Sequence, residues 1–168
     1  MVVSKWLLYG EKMTLINLLK NGFIETTDAL TAEEVFEQYN SKLLTENYVT
    51  EGFLNAIEKR EEIYPTGIVT KKMNIAVPHI DAKYSKCNAL IIIRAKNKLV
   101  FKRMDDPTDN LEIKLVFLLI IKNSKLQVNA LSELTKIWQN DELMKFIYKS
   151  KDIGEVIKQM EKEGFENE

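Results

Sequence analysis

One cysteine, one histidine, three prolines and a net charge of −1 set the first limits on this chain of 168 residues. With Cys87 alone, no internal disulfide can form, which suits a reducing compartment. A single imidazole, His79, can neither build a polyhistidine metal site nor share acid–base work with a second ring. Lys plus Arg (24) nearly balance Asp plus Glu (25), so nothing supplies the phosphate-neutralising surface that nucleic acid demands. No apolar run approaches the roughly 18 residues that a bilayer span requires. The first ten residues hold a short apolar stretch with no small-residue cleavage pattern after it. These absences describe a soluble, cytoplasmic protein with no direct membrane insertion. There is no Gly-rich phosphate loop and no Gly-x-Ser-x-Gly elbow. Asp105, Asp106 and Asp109 lack EF-hand spacing, and an acidic turn is the better account of them. The expectation is a protein with no cofactor and no metal.

What is present fits one domain, since 45% of the residues are apolar and no Pro/Gly/Ser-rich linker or internal repeat divides them. Residues 1–13 read as an N-terminal extension, with Met13 a candidate native start, and 14–168 as the domain. Trp6 and Trp138 read as packing residues. Thr31-Ala32-Glu33-Glu34 is a capping box, and Val35, Phe36, Tyr39, Leu43 and Leu44 follow at helical spacing, so 32–46 is expected to be helix. Thr50 is the expected cap of a second helix running to about Glu62. Pro65-Thr66-Gly67 breaks the pattern. Strand signals follow at 74–77, 89–95, 99–102 and 112–122, the last apolar on both faces and therefore a central strand. Helices return at 125–138, at 141–149 with Asp141 as cap, and at 153–162 behind an Asp152/Glu155 capping box. Helices, strands, then helices imply an α/β fold, a mixed β-sheet flanked by helices on both faces.

The chemistry-bearing residues gather near the middle. His79 lies just beyond the apolar run Ile75-Ala76-Val77, after Pro78, whose fixed φ lowers the cost of holding the ring in one pose. An ordinary imidazole, with a pKa of about 6.5, is largely neutral at pH 7 and has a lone pair that can attack phosphorus. Such a transfer needs positioning and donors for three phosphoryl oxygens. Arg60 has the planar fork for that task, and Thr66 and Gly67 offer a hydroxyl and an approachable backbone. Taken singly, His79 reads equally well as a hydrogen-bonded structural residue, and Arg60 as a solvated arginine at a helix end. Cys87, at the mouth of a strand with no helix N-terminus to lower its pKa, reads as a structural thiol. Val77, Ile80 and Ile68 are candidates for an apolar docking rim, or for core.

Together, Arg60-Glu61, Pro65-Thr66-Gly67 and Ile75-Ala76-Val77-Pro78-His79 resemble the signature of the fructose–mannitol-type enzyme IIA domains of the bacterial phosphoenolpyruvate-dependent sugar phosphotransferase system. The resemblance runs from about Leu18 to Met160. It implies that His79 takes a phosphoryl group, through Nε2, from the phosphohistidine of the carrier protein HPr and gives it to a IIB partner, with Arg60 beside it. Many members carry a second histidine where this chain has Gln127, whose amide can donate to a phosphoryl oxygen but cannot titrate. That substitution, with Tyr64-Pro65-Thr66-Gly67 and the acidic loop at 105–109, looks most like the galactitol-type branch. The family's nitrogen-type regulators, which share the fold but act on a target protein, are the alternative. The imidazole is expected to be uncharged and exposed at a sheet edge.

Overall fold

The computed structural model describes residues 13–166; the expected extension, apart from Met13, and Trp6 lie outside the described residues. The elements are α1 (Leu15–Asn21), β1 (Ile24–Thr27), α2 (Ala32–Thr45), α3 (Phe53–Ile63), β2 (Gly67–Ile68), β3 (Ile75–Ala76), β4 (Ala89–Lys102), β5 (Asn110–Ile120), α4 (Ser124–Trp138), α5 (Asp141–Lys149) and α6 (Ile153–Lys162), with a 3₁₀ turn at Ala82–Tyr84. The five strands form one mixed sheet in the order β1-β4-β5-β3-β2. β1 and β4 are parallel, as are β3 and β5, while β4/β5 and β2/β3 are antiparallel.

Alternation along β4 and β5 divides the core in two. Leu90 and Ile92, with Leu115, Phe117 and Leu119, face a cluster completed by α1, α4, α5 and α6. Ile91 and Ile93, with Val116, Leu118 and Ile120, face the opposite cluster under α2 and α3. This three-layer arrangement is the one expected from a run apolar on both faces. Each fully buried Leu or Ile contributes about 1.5–3 kcal/mol of transfer free energy, so the central hairpin anchors the domain.

The caps follow local chemistry with three corrections. Thr31 Oγ1 accepts from Glu34 N at 3.2 Å and Asp152 Oδ1 from Glu155 N at 2.9 Å. However, the glutamates reach back one residue further than a capping box requires, to Leu30 N and Lys151 N. Asn140, not Asp141, caps α5, accepting from Leu143 N at 3.0 Å. Likewise α3 begins after Gly52 rather than Thr50, because the Thr50 carbonyl closes a turn onto Phe53 N.

The strands expected at 89–95 and 99–102 are one strand, β4, with its register shifted between Arg94 and Leu99. β1 and β2 carry no strand pattern of their own. Gly67 is required by close approach: a Cβ there would sit 2.5 Å from the Lys102 carbonyl oxygen. That contact brings the 64–68 loop against the end of the hairpin, and Met104 N donates to the Gly67 carbonyl at 2.8 Å.

Candidate active site

Backbone pairing places His79 first. The parallel β3/β5 ladder continues past Ala76, with Leu119 N donating to the Pro78 carbonyl at 3.1 Å and a further bridge between His79 and Leu119. The imidazole therefore leaves the sheet at the C-terminal end of β3, a strand with neighbours on both sides. It does not lie at a sheet edge, and it is half-buried rather than exposed. The C-terminal ends of parallel strands are where α/β sheets open their binding crevices.

Both ring nitrogens are specified. Nδ1 lies 2.8 Å from the Val77 carbonyl, an acceptor, so Nδ1 carries the proton and donates it. Nε2 is left with its lone pair, 3.2 Å from Nη2 of Arg60. Burial pushes the His79 pKa below its ordinary value, the Val77 carbonyl opposes that, and the Arg60 charge adds to it against a smaller contribution from Asp81. The ring is held neutral and nucleophilic.

Arg60 comes from the last turn of α3, where a cation also suits the helix dipole. Its Nη1 is 3.8 Å from Asp81 Oδ1, and its guanidinium lies over the Tyr64 ring at 5.9 Å. Its buried Nε has no partner. The guanidinium meets the free ring nitrogen through Nη2.

Gln127 stands in the first turn of α4, on the same side of the sheet end. Its Nε2 donates to the Ile80 carbonyl at 2.9 Å, tying α4 to the residue after His79. Thr66 is buried, and its hydroxyl is engaged with the Glu61 carboxylate at 3.0 Å and with Val77 N at 3.2 Å. Gly67 pairs with Ala76 across β2 and β3. Arg60 and His79 therefore touch, Gln127 braces the loop, and Thr66 sits one layer beneath the ring. Val77 and Ile80 belong to the core and Ile68 is half-buried; exposed apolar side chains include Ile63, Tyr64, Val69, Met104 and Val128. The Cys87 thiol is half-buried and pushed up to about 11 by burial, against an opposing pull from Lys122, so it is inert.

Glu61 is the residue that sequence reasoning passed over. It adjoins Arg60, but only the tertiary fold reveals that it is 7% exposed. Burial raises its pKa to about 7, Thr66 N–H and O–H donors oppose the rise, Glu33 on α2 adds to it and Arg60 opposes it. A carboxyl whose folded pKa is raised binds its proton more tightly when folded, so its contribution is full below pH 4.5 and is lost as pH climbs through about 7. Relative to Glu61→Gln, the wild type is expected to lose roughly 3 kcal/mol of unfolding free energy across that window. Urea titrations of both proteins at several pH values check this; parallel curves would contradict it.

A sequence profile described as "Phosphoenolpyruvate-dependent sugar phosphotransferase system, EIIA 2" matches residues 17–163. The galactitol-specific EIIA component of Escherichia coli K12 is 33% identical over 98 residues, 58% of this chain and 65% of that protein. The match therefore spans less than two thirds of the length of such curated relatives. Among solved structures, the nitrogen regulatory protein IIA-Ntr of Neisseria meningitidis superposes with a TM-score of 0.66 at 18% identity, covering 85% of this chain and 96% of that one. The mannitol enzyme IIA of Escherichia coli, solved in complex with phosphorylated mannitol enzyme IIB, superposes with a TM-score of 0.65 at 18% identity, covering 83% and 94%. At such identities these structures establish the shared fold.

Proposed function

Because the chain belongs to the EIIA 2 family of the phosphoenolpyruvate-dependent sugar phosphotransferase system, we propose that it is a phosphocarrier whose His79 accepts a phosphoryl group from phospho-HPr and passes it to a IIB component. One observation carries the reading: the Nε2 lone pair of a neutral His79, its tautomer set by Val77, faces the guanidinium of Arg60. In the forward step the Nε2 lone pair forms a bond to phosphorus while the bond from phosphorus to the donor's nitrogen breaks, and that nitrogen keeps the electron pair. The His79 ring becomes cationic, and the Val77 carbonyl stabilises its Nδ1–H. Arg60 shifts from the lone pair to the phosphoryl oxygens, which arrive beside it. The second step reverses these events toward the IIB acceptor.

The sugar system we favour is galactitol-type, supported by the 33% identity to galactitol-specific EIIA components and by Gln127 in place of a second histidine. The regulatory reading has only likeness of fold behind it, at 18% identity. Among the described residues no helix is long and apolar enough to cross a membrane, which accords with a carrier working in the cytoplasm. Such a carrier must release each partner quickly, and the exposed apolar side chains Ile63 and Tyr64, just after Arg60, suit brief docking.

Incubation with phosphoenolpyruvate, enzyme I and HPr tests the proposal, with an acid-labile gain of about 80 Da as the expected product. No gain, with HPr itself phosphorylated, would refute it.

A further inference from the structure

Glu61 has no part in the transfer just described, yet among the described residues it is the one buried carboxyl group. Its carboxylate accepts Thr66 N–H at 2.8 Å and, through both oxygens at 3.0 Å, the Thr66 hydroxyl. A hydroxyl that donates to a carboxylate turns its own lone pairs elsewhere, and those of Thr66 receive Val77 N–H at 3.2 Å. The Thr66 carbonyl takes the same N–H at 3.3 Å. Val77 is thereby fixed on its amide side, and its carbonyl, on the other side, accepts Nδ1–H of His79 at 2.8 Å. Every residue in this series is buried up to the half-buried ring.

Resting on the phosphocarrier reading, we propose that Glu61 is a positioning residue for phosphoryl transfer, acting through Thr66 and the Val77 backbone to hold His79 in the tautomer whose Nε2 lone pair is free to attack. Both Thr66 donors converge on Oε1 of Glu61, and the hydroxyl also reaches Oε2. A glutamine amide would offer one acceptor oxygen and set a donor against the hydroxyl. Without the series, the Val77 amide keeps only the Thr66 carbonyl, its own carbonyl is held less closely at the ring, and the Nε2–H tautomer that blocks the nucleophile gains population against the opposing Arg60 donor.

Long-range ¹H–¹⁵N spectra of the His79 ring in the unphosphorylated protein, together with single-turnover transfer from phospho-HPr, test the proposal. The wild type is expected to show the Nδ1–H tautomer. Glu61→Ala and Thr66→Val should shift the ring toward Nε2–H and slow transfer about tenfold, the factor that one lost hydrogen bond is worth. Thr66→Ser, which restores the hydroxyl, should recover both. An unchanged tautomer with rates within about twofold of wild type, in variants whose amide spectra show an intact fold, would overturn it. If Glu61→Ala does not fold, the Thr66→Val and Thr66→Ser pair decides the matter alone. Failure of the wild type to take a phosphoryl group would refute the carrier reading, while the ring spectra would still decide the role of Glu61.

Discussion

With His79 replaced by glutamine, the protein incubated with phosphoenolpyruvate, enzyme I and HPr gains no mass, while wild type under the same conditions gains about 80 Da. The expectation follows from the absence of any substitute. His79 is the chain's one imidazole, and Cys87, the one thiol, is half-buried with its pKa pushed up to about 11, so it offers almost no thiolate at neutral pH. A glutamine amide can still reach the Val77 carbonyl as a donor, but its nitrogen has no nucleophilic lone pair. The fold should survive, because the ring is only half-buried, at a strand end, and the apolar clusters on both faces of the sheet are built by other residues. Intact-mass spectrometry reads the transfer and thermal unfolding reads the fold. Modification of a folded His79→Gln protein would place the acceptor elsewhere and remove the mechanism.

Arg60→Ala is expected to slow transfer by about 10²–10³, the range associated with losing one preorganised donor to a developing oxyanion. In the free protein the guanidinium donates to the lone pair that must attack. Its value in the transition state lies in moving to phosphoryl oxygens within the same reach, where a charge-assisted bond is stronger than one to a neutral nitrogen. Arg60→Lys keeps the charge and loses the fork, so it should fall between the two. Stability should change by less than about 1 kcal/mol, since the Asp81 pair is long and partly exposed. A second readout separates catalysis from folding. With its cationic neighbour gone, the His79 pKa should rise toward its ordinary value, and the imidazole ¹H shifts against pH will report it. An unchanged transfer rate in a folded Arg60→Ala protein would show that the phosphoryl oxygens find their donors elsewhere.

Much of the architecture was legible because it follows from local pattern. The run Ile113–Ile121 is apolar on both faces and became the central strand β5, with helices on either side. The glutamates after Thr31 and Asp152 marked two helix starts. By contrast, β1 and β2 are strands only by virtue of their neighbours. Ile24–Thr27 pairs with β4 across more than sixty residues of sequence, and Gly67–Ile68 exists because a glycine lets it approach Lys102. The division between Asn140 and Asp141 as cap turned on which side chain reached Leu143 N, a matter of one residue's backbone conformation.

The site divides in the same manner. Residue type alone left His79 and Arg60 open to structural readings, and it was their combination with Pro65-Thr66-Gly67 and Pro78 in a family-like motif that marked them as candidates. Tertiary structure alone decided that Arg60 meets Nε2, that Gln127 binds the Ile80 carbonyl and not open space, and that Thr66 serves Glu61. The physical reason is range. Propensity, capping and apolar period act over a few residues, whereas burial of a carboxylate and the choice of a ring tautomer depend on groups that only the closed sheet brings together.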